Sequence, residues 1–183
     1  SIDLRVGDDA VLQGFQIITD GVVYLRGGSY FVNVSHELRD VNLLLSTTTF
    51  KKEKYVTANI ELLRSQILES DEEIASHFEA LVVDNGKTLD ANALSGSGIT
   101  ICPNANVGGA GGFARGMIEA VESEKGFTHI LLMDDDVAVS PESIKRTYNL
   151  LALANEKYAH AFINGAMLSV EQPERLFEDV SHV

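Results

Sequence analysis

Three consecutive aspartates, Asp134-Asp135-Asp136, follow the apolar run Ile130-Leu131-Leu132-Met133. Such a run reads as a buried strand, so the carboxylates emerge together where that strand ends. Alternate side chains of extended backbone share a face, which puts Asp134 and Asp136 on one side and Asp135 on the other. Two convergent carboxylates repel unless a cation neutralises them. Hard divalent ions such as Mg2+ or Mn2+ take oxygen ligands of this kind, often one or two carboxylates plus substrate phosphates. The plainer alternative is an acidic turn that sits in solvent or caps the next helix. Asp136 is too far along the chain from Ser140, where that helix opens, for capping to require it.

A second chemically suggestive segment runs Asn104-Ala105-Asn106-Val107-Gly108-Gly109-Ala110-Gly111-Gly112-Phe113-Ala114-Arg115. Gly108, Gly109, Gly111 and Gly112 permit left-handed backbone and close approach to a ligand. A helix expected over roughly Phe113 to Glu122 would aim its free N–H groups and positive dipole end at an anion. Arg115 then falls in the first helical turn, where an acid is usual, and is a candidate for a ligand phosphate. A loop shaped only for packing, with Arg115 solvated, is the competing explanation. Gly109 to Ala114 also satisfies the G-x-G-x-x-A dinucleotide fingerprint, with Asp134 twenty positions later. That would suggest an NAD(P)-dependent oxidoreductase. The fingerprint should follow its strand directly and sit in the first βαβ unit, however, and here Pro103 to Gly108 intervene and earlier strands precede it.

The elements that must position these groups alternate between strand and helix. Val41 to Leu45 is an apolar run of the kind covered on both faces, exiting into Ser46 and Thr47-Thr48-Thr49. Val56, Ile60, Leu63 and Ile67 recur at helical spacing. Ala80 to Val83 reads as a strand ending at the turn Asp84-Asn85-Gly86, and Ile99 to Cys102 as another, closed by Pro103. His129 to Asp134 is a strand, and Ser140-Pro141-Glu142 opens a helix with a cap, Pro at its first position and an acid in its first turn. A last strand is expected over Ala161 to Ile163. This succession predicts an α/β domain over 41–183 with a mostly parallel sheet flanked by helices, and ligands in such sheets bind beyond the carboxyl ends of the strands. Residues 1–40 read differently. Phe15, Ile17, Val23 and Leu25 follow a period of two, and Gly27-Gly28 separates Val22–Arg26 from Ser29–Val34 as a hairpin turn would. We expect a β-rich segment there, part of a sandwich-like module.

Composition bounds the partners. The 183 residues carry 14 Lys and Arg against 27 Asp and Glu, a formal net charge of −13. That balance argues against nucleic acid, which needs clustered cations, and against an anionic membrane surface. The single Cys102 excludes an internal disulfide framework and suits a reducing, cytoplasmic setting. No apolar stretch approaches the ~20 residues of a membrane span.

Taken together, Asn104-x-Asn106-x-Gly-Gly-Ala-Gly-Gly-Phe-Ala-Arg-Gly-Met and the strand ending Met-Asp-Asp-Asp-Val resemble family 2 glycosyltransferases of the GT-A fold. The resemblance spans roughly residues 42 to 170 and is strongest to the galactofuranosyltransferase-like branch, whose members carry a β-rich N-terminal module. It implies a Rossmann-like domain that moves a sugar, galactofuranose in that branch, from a UDP-sugar to a glycan or lipid-linked glycan with inversion. By that likeness Thr48, Thr49, Phe50 and Lys51 contact the uridine, and Asp84 reaches the uracil. Asn104, Asn106, Gly108, Gly109, Gly111 and Gly112 lie beside the nucleotide and donor sugar. Asp134 and Asp136 hold Mn2+ or Mg2+ on the diphosphate, with Asp135 near the ribose or sugar. The family commonly has Thr-Phe-Asn-Arg where this chain has Thr49-Phe50-Lys51-Lys52. The likeness also implies a catalytic carboxylate and a metal-ligating histidine farther along, and Glu171, Glu174, Glu178 and Asp179 have no such context. The chain therefore reads as the donor-binding part of a larger enzyme, held at the inner face of a membrane, if at all, through other parts. A non-catalytic carbohydrate-binding module is the alternative outside enzymology.

Other residues carry less. The five histidines show no metal-binding spacing, and His129 reads as structural. Cys102 reads as a small buried residue. Lys51, Lys52 and Lys54 form a basic cluster that is ordinarily a solvated face, with assistance to a diphosphate as the lesser alternative.

Overall fold

The computed structural model describes residues 14–28, 31 and 33–178. The chain divides into two units, residues 1–33 and 34–183, rather than at residue 40. In the first unit the described residues form neither strand nor helix. Phe15, Ile17, Val23 and Leu25 are exposed. The alternation is therefore present without the paired backbone that would turn it into a sheet, and an isolated hairpin is marginal in water. Residues 29, 30 and 32 of the expected hairpin lie outside the described residues. Residues 34–40, the remainder of the expected β-rich segment, also carry no strand.

The second unit is an α/β domain. Its elements run β1 (Leu43–Thr49), α1 (Glu53–Leu63), β2 (Phe78–Asp84), the short α2 (Ala91–Leu94), β3 (Ile99–Pro103), α3 (Gly108–Glu122), β4 (His129–Asp134) and α4 (Pro141–Leu153). The main sheet has four strands in the order β3-β2-β1-β4, all parallel. Two short strands, β5 (Met167–Leu168) and β6 (Leu176–Glu178), pair antiparallel in a separate sheet. The strand expected over residues 161–163 is absent, and that stretch is exposed coil. Three apolar residues with Phe162 fully exposed have no neighbouring strand to complete their backbone hydrogen bonds.

Strand β1 is buried on both faces, as its apolar composition requires. Leu43 and Leu45 join Val56, Ile60 and Leu63 of α1 and Ile144, Tyr148 and Leu151 of α4 in the larger core. Leu44 faces the other way, with Leu81, Val83 and Ala120. Helix α1 ends in a single π turn over Arg64–Leu68, closed by Glu69 N–H donating to the Arg64 carbonyl at 2.9 Å. That turn keeps Ile67 fully buried in register with Val56, Ile60 and Leu63.

The glycine-rich segment is the first part of a helix rather than a loop before one. Helix α3 starts at Gly108, whose φ of +75° suits a residue without Cβ. The same glycines bring the helix onto β1. A Cβ on Gly112 would overlap Thr48, and one on Gly116 would overlap Ser46. Gly109 has nothing within 4 Å of where its Cβ would stand. Gly112→Ala therefore forces β1 and α3 apart and is expected to cost about 1–3 kcal/mol of unfolding free energy. Gly109→Ala is expected to leave stability unchanged or to raise it by up to ~1 kcal/mol. Denaturant unfolding of the two variants checks the contrast.

Candidate functional site

The sheet register brings most of the chemically suggestive residues to one edge. Thr49 lies opposite Asp84, and Asp84 opposite Pro103, just before Asn104. On the other side of β1, Thr48 lies opposite Asp134. The chain builds outward from β1 through β2 to β3, then crosses back to set β4 on the far side of β1. The strand order reverses between β1 and β4, and at such a point the flanking connections diverge and leave a crevice. Thr48 and Asp134 sit at its mouth.

The exit of β1 is unusually polar for a core strand. Ser46 Oγ and the Oγ1 atoms of Thr47, Thr48 and Thr49 are buried and make no hydrogen bond. A buried hydroxyl without a partner costs on the order of 1–3 kcal/mol. Four in succession, on both faces of the strand, are not explained by packing alone.

The acidic exit of β4 divides as a strand should. Asp134 and Asp136 are exposed and Asp135 is buried. Its cation partner is Lys52, from the connection between β1 and α1. The Lys52 ammonium lies 2.6 Å from Asp136 Oδ2 and 3.3 Å from Asp135 Oδ1. Its hydrogen bonds to Asp136 and then Asp135 hold the Lys52 pKa above the ordinary lysine value. The same bond from Lys52 holds Asp136 below the ordinary carboxylate value. Lys52 is thus no merely solvated cation. Asn59 of α1 had no sequence signal beyond being a polar residue beside the buried stripe of its helix. Its Nδ2 donates to the Val137 carbonyl at 2.9 Å and to that of Asp135 at 3.5 Å. Helix α1 therefore holds the β4 exit twice, by backbone through Asn59 and by carboxylate through Lys52.

Among the described residues no group of three or more His, Cys, Asp or Glu could hold a metal ion. Asp134 has an exposed side chain, and no described residue pairs with it. Two exposed carboxylates with open positions suit a hard cation whose remaining ligands are phosphate oxygens and water.

Asp84 does something other than face the crevice. It is fully buried. Its Oδ1 accepts from Gly86 N–H at 2.9 Å, and its Oδ2 from Thr88 at 2.8 Å and Leu89 at 2.9 Å. With both oxygens occupied it shapes the 84–89 turn in place of reaching a base. Asn85, seen in the sequence only as a turn residue, links the strand exits. Its Oδ1 accepts from Asn104 Nδ2 at 2.9 Å, and its Nδ2 donates to the Gly108 carbonyl at 3.1 Å. Asn106 Oδ1 accepts from Gly108 N–H at 3.2 Å. These bonds fix where α3 begins. Because α3 starts at Gly108, Arg115 lies two turns in rather than in the first turn, and its guanidinium is paired with Glu119 at i+4. That pairing raises the Arg115 pKa and turns the group along the helix surface, away from the role of a phosphate ligand. Phe50 is exposed at the β1 exit. The Lys51 ammonium lies 5.1 Å from the centre of its ring, on a backbone with φ of +58°.

The sequence model of the family described as "Glycosyltransferase like family 2" matches residues 65–182. The chain belongs to this family. The four-stranded parallel sheet with helices on both faces is its GT-A, Rossmann-like fold. The chain is also similar to the galactofuranosyltransferase GlfT2 of Mycolicibacterium smegmatis, 30% identical over 185 aligned residues that cover 96% of this chain and 27% of that protein. A second relative is the galactofuranosyltransferase GlfT2 of Mycobacterium tuberculosis, 31% identical over 168 residues that cover 88% of this chain and 25% of that protein. The chain thus spans about a quarter of the length of the curated relatives it matches. The oxidoreductase alternative loses its support. Its glycines belong to α3 after the edge strand β3, and the β1–α1 turn at the reversal carries Phe50-Lys51-Lys52 instead. Among the described residues no helix is long and apolar enough to cross a membrane.

The two kinds of aspartate differ in a measurable way. Asp84→Ala strips the acceptor from three backbone N–H groups in a buried turn and is expected to cost about 2–4 kcal/mol. Asp134→Asn changes an exposed group and is expected to stay within ~0.5 kcal/mol of wild type. Chemical denaturation compares them directly.

Proposed function

We propose that the protein binds a UDP-sugar across the β1/β4 crevice and takes part in transferring the sugar to a glycan or lipid-linked glycan acceptor with inversion. Galactofuranose is the proposed sugar, on the similarity to the two mycobacterial relatives, and the cytoplasm the proposed setting. The observation that supports this most is the pairing of Thr48 with Asp134 at the strand-order reversal, within a family-2 glycosyltransferase domain. Asp134 and Asp136 are the proposed ligands of Mn2+ or Mg2+. When bound, such an ion stabilises the negative charge that grows on the diphosphate as the glycosidic bond breaks, an effect of several kcal/mol.

The protein groups divide the remaining work. Thr48 and Thr49 offer hydroxyls whose bonding capacity is unused, and we assign them to the nucleotide. Exposed Phe50 offers a flat apolar face to the base, with Lys51 beside it. The first turn of α3, Gly108 to Gly112, presents unpaired backbone N–H groups and a positive helix end, without a Cβ to hold an anion away. Asn104 and Asn106 act by holding that turn in place. Buried Asp135 is assigned to the ribose or sugar side. Asp84 and Arg115 are left out of direct contact.

Calorimetric titration of UDP tests this. UDP is expected to bind at least tenfold more tightly with Mn2+ than with EDTA, and Asp134→Asn or Asp136→Asn is expected to remove that gain. Equal affinity under all these conditions overturns the metal-bridged arrangement. Tight NAD binding with indifference to UDP overturns the donor assignment itself.

A further inference from the structure

Lys52 stands where neither helix formation nor packing asks for it. It is the N-cap of α1, and its side chain makes no capping bond. A cation at a helix N-terminus opposes the helix dipole. What compensates is the pair of contacts to Asp135 and Asp136 across the crevice. The need on the other side is just as plain. Asp135 has a largely buried side chain, 11% exposed, and a carboxylate in such a place requires a nearby cation or donor. Asn59 holds the backbone of the same turn from the same helix, so the carboxylates and the ammonium are kept within reach of each other.

We propose that Lys52 is a resident counter-ion of the acidic exit, occupying it while no ligand is present and yielding it when metal and diphosphate arrive together. This rests on the metal-bridged donor site proposed above. The argument is one of charge. A divalent ion on Asp134 and Asp136 must share Asp136 with an ammonium already 2.6 Å from its Oδ2. Like charges a few ångströms apart repel, even in water. The ammonium is on a flexible four-carbon stem and is 43% exposed as a side chain, so it can leave. It leaves at least cost when an anion arrives to receive it, and the diphosphate is that anion. Metal alone therefore binds against Lys52, whereas metal with nucleotide binds with its help. The consequence is positive coupling between the two ligands, equal in both directions by linkage. Lys52 is in this sense a positioning residue that makes metal capture conditional on nucleotide.

Mn2+ affinity of the full chain, read from the free-ion electron paramagnetic resonance signal with and without UDP, tests the proposal in wild type, Lys52→Gln and Lys52→Arg. Without UDP, Lys52→Gln is expected to bind Mn2+ on the order of tenfold more tightly than wild type at low salt. Lys52→Arg keeps the charge and is expected to stay within about twofold of wild type. UDP is expected to tighten Mn2+ binding by a larger factor in wild type than in Lys52→Gln. Two results overturn the proposal and leave the donor site standing. One is UDP-free Mn2+ affinity in Lys52→Gln that equals or falls below that of wild type, while wild type still binds Mn2+ with UDP. The other is Lys52→Arg tightening as much as Lys52→Gln. Absence of Mn2+ binding in all three proteins, even with UDP, overturns both this proposal and the metal-bridged site. Lys52 is an exposed residue at a helix start, and thermal melts of the two variants verify that each remains folded.

Discussion

Every feature of the candidate site depends on β1 being enclosed on all four sides. It is hydrogen-bonded to β2 along one edge and to β4 along the other, packed against α1 and α4 on one face and α3 on the second. The α3 contact is possible only because Gly112 and Gly116 present no side chain toward Thr48 and Ser46. Leu43, Leu44 and Leu45 supply the apolar burial that sustains this enclosure, at roughly 1.5–3 kcal/mol for each buried side chain. That gain offsets the hydroxyls of Ser46 to Thr49, which enter the same enclosure without partners. A strand that spends part of its stability in this way ends in groups that can still form hydrogen bonds, at the point where strand order reverses.

The electrostatics follow from the same placement. A chain of net charge −13 has no general attraction for a nucleotide. Attraction must come from particular groups. The β1 exit supplies Lys51 and Lys52, the start of α3 supplies backbone N–H groups, and the β4 exit supplies carboxylates that a cation can convert from repulsive to attractive. Lys52 and Asn59 reach from the β1–α1 side to the β4 exit. The two halves of the crevice are therefore coupled through side-chain bonds as well as through the sheet.

Much of this was legible in the sequence because it rests on local rules. The apolar runs ending at Thr47–Thr49, Asp84 and Asp134 read directly as parallel strands, and the alternation across Asp134, Asp135 and Asp136 matches their exposure. The failures have specific causes. The glycine run reads as a loop because glycine is a poor helix former, yet it is helical, since close approach to β1 outweighs propensity. Arg115 was misplaced for the same reason, as an earlier helix start moves it one turn inward, beside Glu119. Asp84 was read by its position at a strand exit, and only the fold reveals that three backbone N–H groups consume its oxygens. Asn59 and Lys52 act across more than 70 positions of chain, a separation that no periodicity reports. The alternation in residues 15–25 failed in the opposite way, since a period of two describes a surface without supplying the neighbour a strand needs.

The central claim is that a metal and a nucleotide meet at the β1/β4 exit and nowhere else on the domain. Paramagnetic broadening of backbone amide resonances by Mn2+ in the presence of UDP locates that meeting point directly. The account predicts selective loss of the signals of Thr48, Thr49, Asp134 to Asp136 and Gly108 to Gly112. Signals of Asn42, Phe78 and Phe127, at the opposite ends of the strands, should persist. Broadening centred on those opposite ends, or spread evenly over the acidic surface, would contradict it.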